Sequence, residues 1–220
     1  MNGNGLAPET RARLIQACGT IVGRQGVITA PDELRVYECD ALTFYRRSMP
    51  DLVVLPTSTQ QVAALVRVCY DARVPVVPRG AGTGLSGGAI PTAGGVMIVL
   101  TRMLRILDVD PVNRTATVEA GCVNLWLTKA VERFGLFYAP DPASQAACTI
   151  GGNVAENAGG PHCLKYGVTT NHVLAAEAVM PDGALARFSH DDDGPELLSL
   201  LVGAEGTLGV WAEATVRIQP

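Results

Sequence analysis

Residues Val77–Pro91 read VPRGAGTGLSGGAIP, and their interpretation decides the fold. Five glycines fall within Gly80–Gly88, directly after the apolar run Val74–Pro78. A loop so bare of side chains exposes successive main-chain N–H groups, which can converge on an anion. Gly82–Gly87 fits the spacing GxGxxG, and Asp108 falls about 20 residues on, where a dinucleotide fingerprint places its acidic residue. That fingerprint also needs the loop to open into a helix whose N-terminus takes the pyrophosphate. Here the loop runs into Ala89–Gly95, where Pro91, Gly94 and Gly95 forbid a helix interior. No Gly-Lys-Ser/Thr follows, so no lysine is placed for a terminal phosphate. Two readings are left: a phosphate-binding bend without a helix, or a glycine-rich connection with no ligand. Arg79 adds a charge in the first reading and pairs with a surface carboxylate in the second.

Working outward, Pro8–Gly23 has helical spacing, with Leu14, Ile15, Cys18 and Val22 on one face. Asp51–Pro56 (DLVVLP) is a short buried strand. Ser58 and Gln61 form a capping box for a helix whose apolar stripe is Val62, Leu65, Val66 and Cys69. Val74–Pro78 is a second strand, so this half is a parallel, right-handed β-α-β unit. Gly94–Met103 supplies a third strand. Beyond it the pattern turns to hairpins: Ile106–Gly121, turning at Asp110–Asn113, and Val173–Ser189, turning at Pro181–Gly183. An amphipathic helix, Val123–Gly135, lies between them, followed by a long polar, glycine-rich stretch, Pro140–Gly160. A short helix and a third glycine loop, Pro195–Gly209, lead to a last strand with alternating faces. The expected class is α+β, with two packed subdomains rather than one doubly wound sheet. The expected division is a helical and extended segment over 1–50, a small β-α-β subdomain over 51–105, and a mainly antiparallel subdomain over 106–220.

The 220 residues are 48% hydrophobic and 17% charged, enough apolar material for a well-packed core. A net charge of −4 with 5% aromatics argues against a general nucleic-acid binder. The six cysteines include no CxxC pair; they read as reduced thiols of a cytosolic protein, with a secreted disulfide framework as the alternative. No apolar run reaches the about 18 residues of a membrane span. His162 and Cys163 adjoin, but no further ligand spacing supports a metal site.

Two more clusters accompany the first loop: TIGGNVAENAGG (Thr149–Gly160) and GAEGTLG (Gly203–Gly209). Three such segments are costly to order. An elongated ligand touching all three accounts for them together. Asn153 and Asn157 would reach polar ring atoms of such a ligand, or serve as ordinary turn residues.

Four segments in this order, VPRGAGTGLSGGA, APDPASQAACTIGGNVAENAGG, GPHCLKYGVTTNHVLAAEAVMPDG and VGAEGTLGV, resemble FAD-linked oxidoreductases with the vanillyl-alcohol-oxidase or PCMH-type FAD-binding domain. Within that family the chain is most similar to the glycolate oxidase D subunit and D-lactate dehydrogenases, over roughly Asp51–Pro220. The resemblance implies FAD extended between two subdomains. Arg79, Gly80, Ala81, Gly82, Thr83 and Gly84 match its pyrophosphate loop. Pro140, Asp141, Pro142, Ser144, Thr149, Gly151, Gly152, Asn153, Ala155 and Gly159 match the segment along the flavin and pyrophosphate. Glu205, Gly206, Thr207 and Gly209 match the closing loop, and Val173 a backbone contact. Thr83 stands where relatives with covalent flavin carry histidine, which implies dissociable FAD. The implied chemistry is hydride transfer from C2 of a small 2-hydroxy acid to flavin N5, and a base must take the hydroxyl proton. His162 is the candidate here, weighed against a structural role in a tight turn. The resemblance also implies a substrate domain absent from this chain, which would supply most substrate contacts and the proposed proton acceptor. It implies an electron acceptor or other glycolate oxidase subunits as partners. The implied location is cytoplasmic, either free or peripheral to the inner membrane through those subunits. A non-catalytic FAD module lending its flavin to a partner is the competing reading; an NADPH-dependent reductase of a nucleotide sugar is disfavoured by GGPHCLKYG.

Overall fold

The computed structural model describes residues 5–42 and 47–220. The chain begins with α1 (Pro8–Val22) and a two-residue strand β1 (Val27–Ile28), followed by a single turn, α2 (Pro31–Leu34). β2 (Leu52–Val54), α3 (Thr59–Ala72), β3 (Val76–Arg79) and β4 (Val96–Val99) complete the first sheet. Its strand order is β1-β2-β4-β3; β4 lies parallel to both β2 and β3, and β1 joins β2 antiparallel. β2 and β3 are therefore the halves of a parallel crossover through α3, with β4 inserted between them. Every residue of β4 is buried, as a central strand covered on both faces must be.

α3 follows its apolar period. Val62, Leu65, Val66 and Cys69 are buried, and together with Leu14 and Cys18 of α1 they cover one face of this sheet. Leu34 packs on the other face with Val53, Met97 and Val99. The predicted capping box is half formed. Ser58 Oγ accepts from Gln61 N at 3.3 Å, but Gln61 Oε1 accepts from Thr57 N at 2.8 Å, one residue further back than the box requires.

The second sheet is antiparallel, in the order β5-β6-β9-β7-β8. It comprises β5 (Ile106–Asp110), β6 (Thr115–Glu119), β7 (Val173–Val179), β8 (Leu185–Ser189) and β9 (Val210–Arg217). Both predicted hairpins are present, and β9, last in the chain, runs through the middle of the sheet. Between the hairpins lie α4 (Asn124–Val131), α5 (Ile150–Glu156) and α6 (Cys163–Tyr166), and α7 (Leu198–Leu201) lies between β8 and β9. α4 and α5 pack on the sheet through Leu127, Val131, Ile150 and Val154. Val179, Val210, Ala212 and Ala120 bury themselves with Leu65, Val66 and Met103, joining the second sheet to the first through α3.

The polar, glycine-rich stretch Pro140–Gly160 is not irregular throughout. Its middle is helical despite two adjacent glycines, because Thr149 caps α5 by accepting from Gly152 N at 3.2 Å and Asn157 ends it in the left-handed conformation, φ 49°. All six cysteines are free thiols. Among the described residues no helix is long and apolar enough to cross a membrane.

Candidate functional site

A cleft of about 750 Å³ opens between the two sheets, where the glycine loop, α5 and the loop before β9 meet. Hydrogen bonds and close packing hold these three segments together. The loop leaves β3 at Arg79, whose carbonyl accepts from Leu100 N at 2.9 Å. Gly80 then rests on Thr149, the cap of α5. At the other end of α5, Gly203 N and Glu205 N donate to the carbonyls of Val154 and Ala155 at 2.9 and 2.8 Å, fastening the third loop to the helix.

Among the described residues, no N–H from Gly80 to Ala89 has a protein acceptor. These are ten consecutive amides, nine of them on residues that line the cleft, and donors without a protein partner there take water or an anion. α5 is different. Ile150 N and Gly151 N donate to the carbonyls of Cys122 and Ala120, both at 2.8 Å, and Gly152 N is held by Thr149. The second glycine cluster therefore offers no run of open donors. Its glycines serve close packing: a β-carbon at Gly151 would lie 2.6 Å from Ala120 Cβ.

Arg79 lines the cleft and is held by its own neighbours. It is 9% exposed, donates from Nη1 to the Cys39 carbonyl at 2.8 Å, and lies over the Tyr37 ring at 5.7 Å. Burial lowers its pKa, and Asp40 nearby opposes the shift. The guanidinium packs against the loop at Gly82 (φ 72°), where a β-carbon would overlap it.

Most predicted residues line the cleft: Arg79, Gly80, Ala81, Gly82, Thr83, Gly84, Pro142, Ser144, Thr149, Gly151, Gly152, Asn153, Ala155, Gly159, Glu205, Gly206 and Gly209. Four lie elsewhere. The Pro140 carbonyl accepts from Asn124 Nδ2 at 2.9 Å. Asp141 holds His162 twice, through the backbone N–H at 3.0 Å and through Nδ1 at 2.9 Å. Val173 is buried inside β7, its carbonyl 3.0 Å from His190 Nε2. Thr207 lines an adjoining cavity of about 680 Å³ that shares Pro78, Gly206 and Gly209 with the cleft. His162 is outside the lining of both cavities, in an aromatic cluster with Phe137 and Tyr166. Sequence reasoning missed Asp40, Ser86, Cys148, Glu156 and Trp211, which also line the cleft. Trp211 carried a signal, since it is the second residue of a strand entered from a glycine loop; the carboxylates carried none.

The chain belongs to the FAD-binding-domain family, whose model matches residues 50–189. In fold it is similar to p-cresol methylhydroxylase, with a TM-score of 0.81 at 19% identity over 98% of this chain and 44% of that one. In sequence it is 48% identical to the glycolate oxidase subunit GlcD of Escherichia coli over 221 residues. It is 42% identical to a D-lactate dehydrogenase of Anaerostipes hadrus over 185 residues. These matches cover 99% and 82% of this chain, but 44% and 39% of the relatives. The chain thus spans less than half the length of the curated relatives it matches.

The residues present fit FAD. Ten open amides suit its diphosphate, and the cleft extends from them past α5 to the apolar floor at Leu100, Ala120 and Trp211.

Proposed function

We propose that this chain is the FAD-binding part of a flavin-dependent 2-hydroxy-acid oxidase or dehydrogenase of the glycolate or D-lactate type. The observation that carries the reading is the unpartnered run of amides from Gly80 to Ala89 in a chain closely similar to GlcD. Those amides would hold the diphosphate, and Pro142–Ser144 and α5, which line the same cleft, would flank the rest of the cofactor. Bound flavin supplies a hydride acceptor for C2 of the hydroxy acid. With threonine at position 83, the cofactor is held without a covalent bond to that loop. Hydroxy-acid contacts come chiefly from outside residues 1–220, and partner subunits or an electron acceptor take the electrons onward. The protein works in the cytoplasm or beside the inner membrane through those subunits.

A second reading, a flavin-carrying module with no chemistry of its own, is favoured by one feature: His162 lies outside the cleft lining and is bound to Asp141. The test has two parts. Heating the purified, FAD-incubated chain should release a flavin that chromatographs as FAD; release of nothing contradicts the assignment. The native protein, made anaerobic, should lose its oxidised-flavin absorbance on adding glycolate or D-lactate. A flavin-loaded native protein inert to hydroxy acids favours the module instead.

A further inference from the structure

Glu156 ends α5 at a point where carboxylates meet the glycine loop. Its Oε2 accepts a 2.8 Å hydrogen bond from Ser86 Oγ. A β-carbon built on Gly88 would lie 3.0 Å from Glu156 Oε1 and 3.4 Å from Glu205 Oε2, so both carboxylates rest against the same bare backbone. Asp40 lines the cleft too and is 6% exposed. Its Oδ1 accepts from Leu42 N at 2.9 Å, while its Oδ2 has no partner among the described residues.

The charged groups facing the cleft are therefore Asp40 from the segment before β2, Arg79 from the end of β3, Glu156 from α5 and Glu205 from the loop before β9. Three are acidic and one is basic, and the basic one donates to the Cys39 carbonyl. Burial, with Glu205 and Asp40 adding to it, raises the Glu156 pKa against the opposing Ser86 hydrogen bond. Its place at the C-terminal end of a helix acts in the same direction.

A diphosphate settling on the amides of Gly80–Ala89 adds negative charge beside these carboxylates. We propose that occupation of the cleft by the FAD diphosphate is coupled to uptake of one proton at Glu156, which makes cofactor affinity depend on pH. The inference rests on the FAD reading of the cleft. The proton comes from solvent and adds to Oε1, leaving Oε2 to accept from Ser86; no other bond changes. The sign follows from linkage. Bound diphosphate raises a Glu156 pKa that is already raised, so affinity is highest below the free-state value. It falls as pH rises between the free and bound values, then levels off.

The test is calorimetric titration of the chain with FAD over a pH window that starts in the ordinary carboxylate range and runs upward past neutrality, in two buffers of different ionisation enthalpy, which counts protons directly. The expected result is net proton uptake within that window, and a Kd that rises several-fold, at most about tenfold per pH unit. Glu156→Gln should remove the uptake and bind FAD at the high end of the range as tightly as the unaltered chain does at the low end. FAD binding with a constant Kd and no proton exchange overturns the proposal and leaves the FAD site intact. Uptake that persists in Glu156→Gln and disappears in Asp40→Asn or Glu205→Gln also overturns it. Failure to bind FAD at any pH overturns both readings.

Discussion

Gly80 rests directly on the side chain of Thr149, and a β-carbon at Gly80 would overlap Thr149 Oγ1. The same oxygen accepts from Gly152 N at 3.2 Å. One hydroxyl thus caps α5 and sets how closely the glycine loop approaches that helix. Segments that are far apart in sequence meet at a single atom at the mouth of the cleft.

Thr149→Ala removes that cap and leaves a gap under Gly80. The expected loss of stability is about 1 kcal/mol, the usual cost of an N-cap deletion, together with weaker FAD binding. Thr149→Ser, which keeps the hydroxyl, should behave nearly as the parent. Urea denaturation with and without FAD measures both effects.

Gly82 has φ 72°, and its α-carbon faces the Arg79 guanidinium. A valine there must force a left-handed β-branched residue and displace the arginine. The expected outcome is an FAD Kd at least about tenfold weaker, with a stability loss of about 1–3 kcal/mol. Equilibrium dialysis gives the first and thermal unfolding the second.

Gly151→Ala acts by overpacking. The new methyl would meet Ala120 Cβ at 2.6 Å and its carbonyl oxygen at 2.9 Å, pushing α5 off the sheet. A stability loss of about 1–3 kcal/mol is expected, with reduced flavin retention after gel filtration.

Thiol reactivity should divide the cysteines. Burial pushes Cys18 and Cys122 up to about 11 and Cys69 up to about 12, and raises Cys148 as well. A raised thiol pKa means little thiolate near neutral pH, and burial blocks access. Cys39 and Cys163 are partly exposed. A disulfide reagent added to the folded chain should label Cys39 and Cys163 first, and the other four only on unfolding.

The fold was largely legible in the sequence. The glycine loop running into Pro91 excluded a Rossmann turn, and the change from crossover to hairpins after Met103 marked the second sheet. α5 was less legible because Gly151 and Gly152 suppress helix propensity, although Thr149 before them and Asn157 after them are ordinary helix-end residues. β1 is only two residues long, and pairing with β2 rather than any pattern of its own makes it a strand. At the cleft, glycines announced themselves because few other structures need them so densely. Glu156 and Asp40 did not, since an acidic residue is no obvious neighbour for a diphosphate and only the folded chain brings them there.

The central claim is that the amides of Gly80–Ala89 are the donors that hold the cofactor. Hydrogen exchange followed by mass spectrometry tests it directly. In the free chain, the peptide carrying these amides should exchange quickly, since none has a protein acceptor. Saturating FAD should slow its exchange strongly, while the first-turn amides of α5, already paired, change much less. Rapid exchange across Gly80–Ala89 that persists with FAD demonstrably bound would contradict the account.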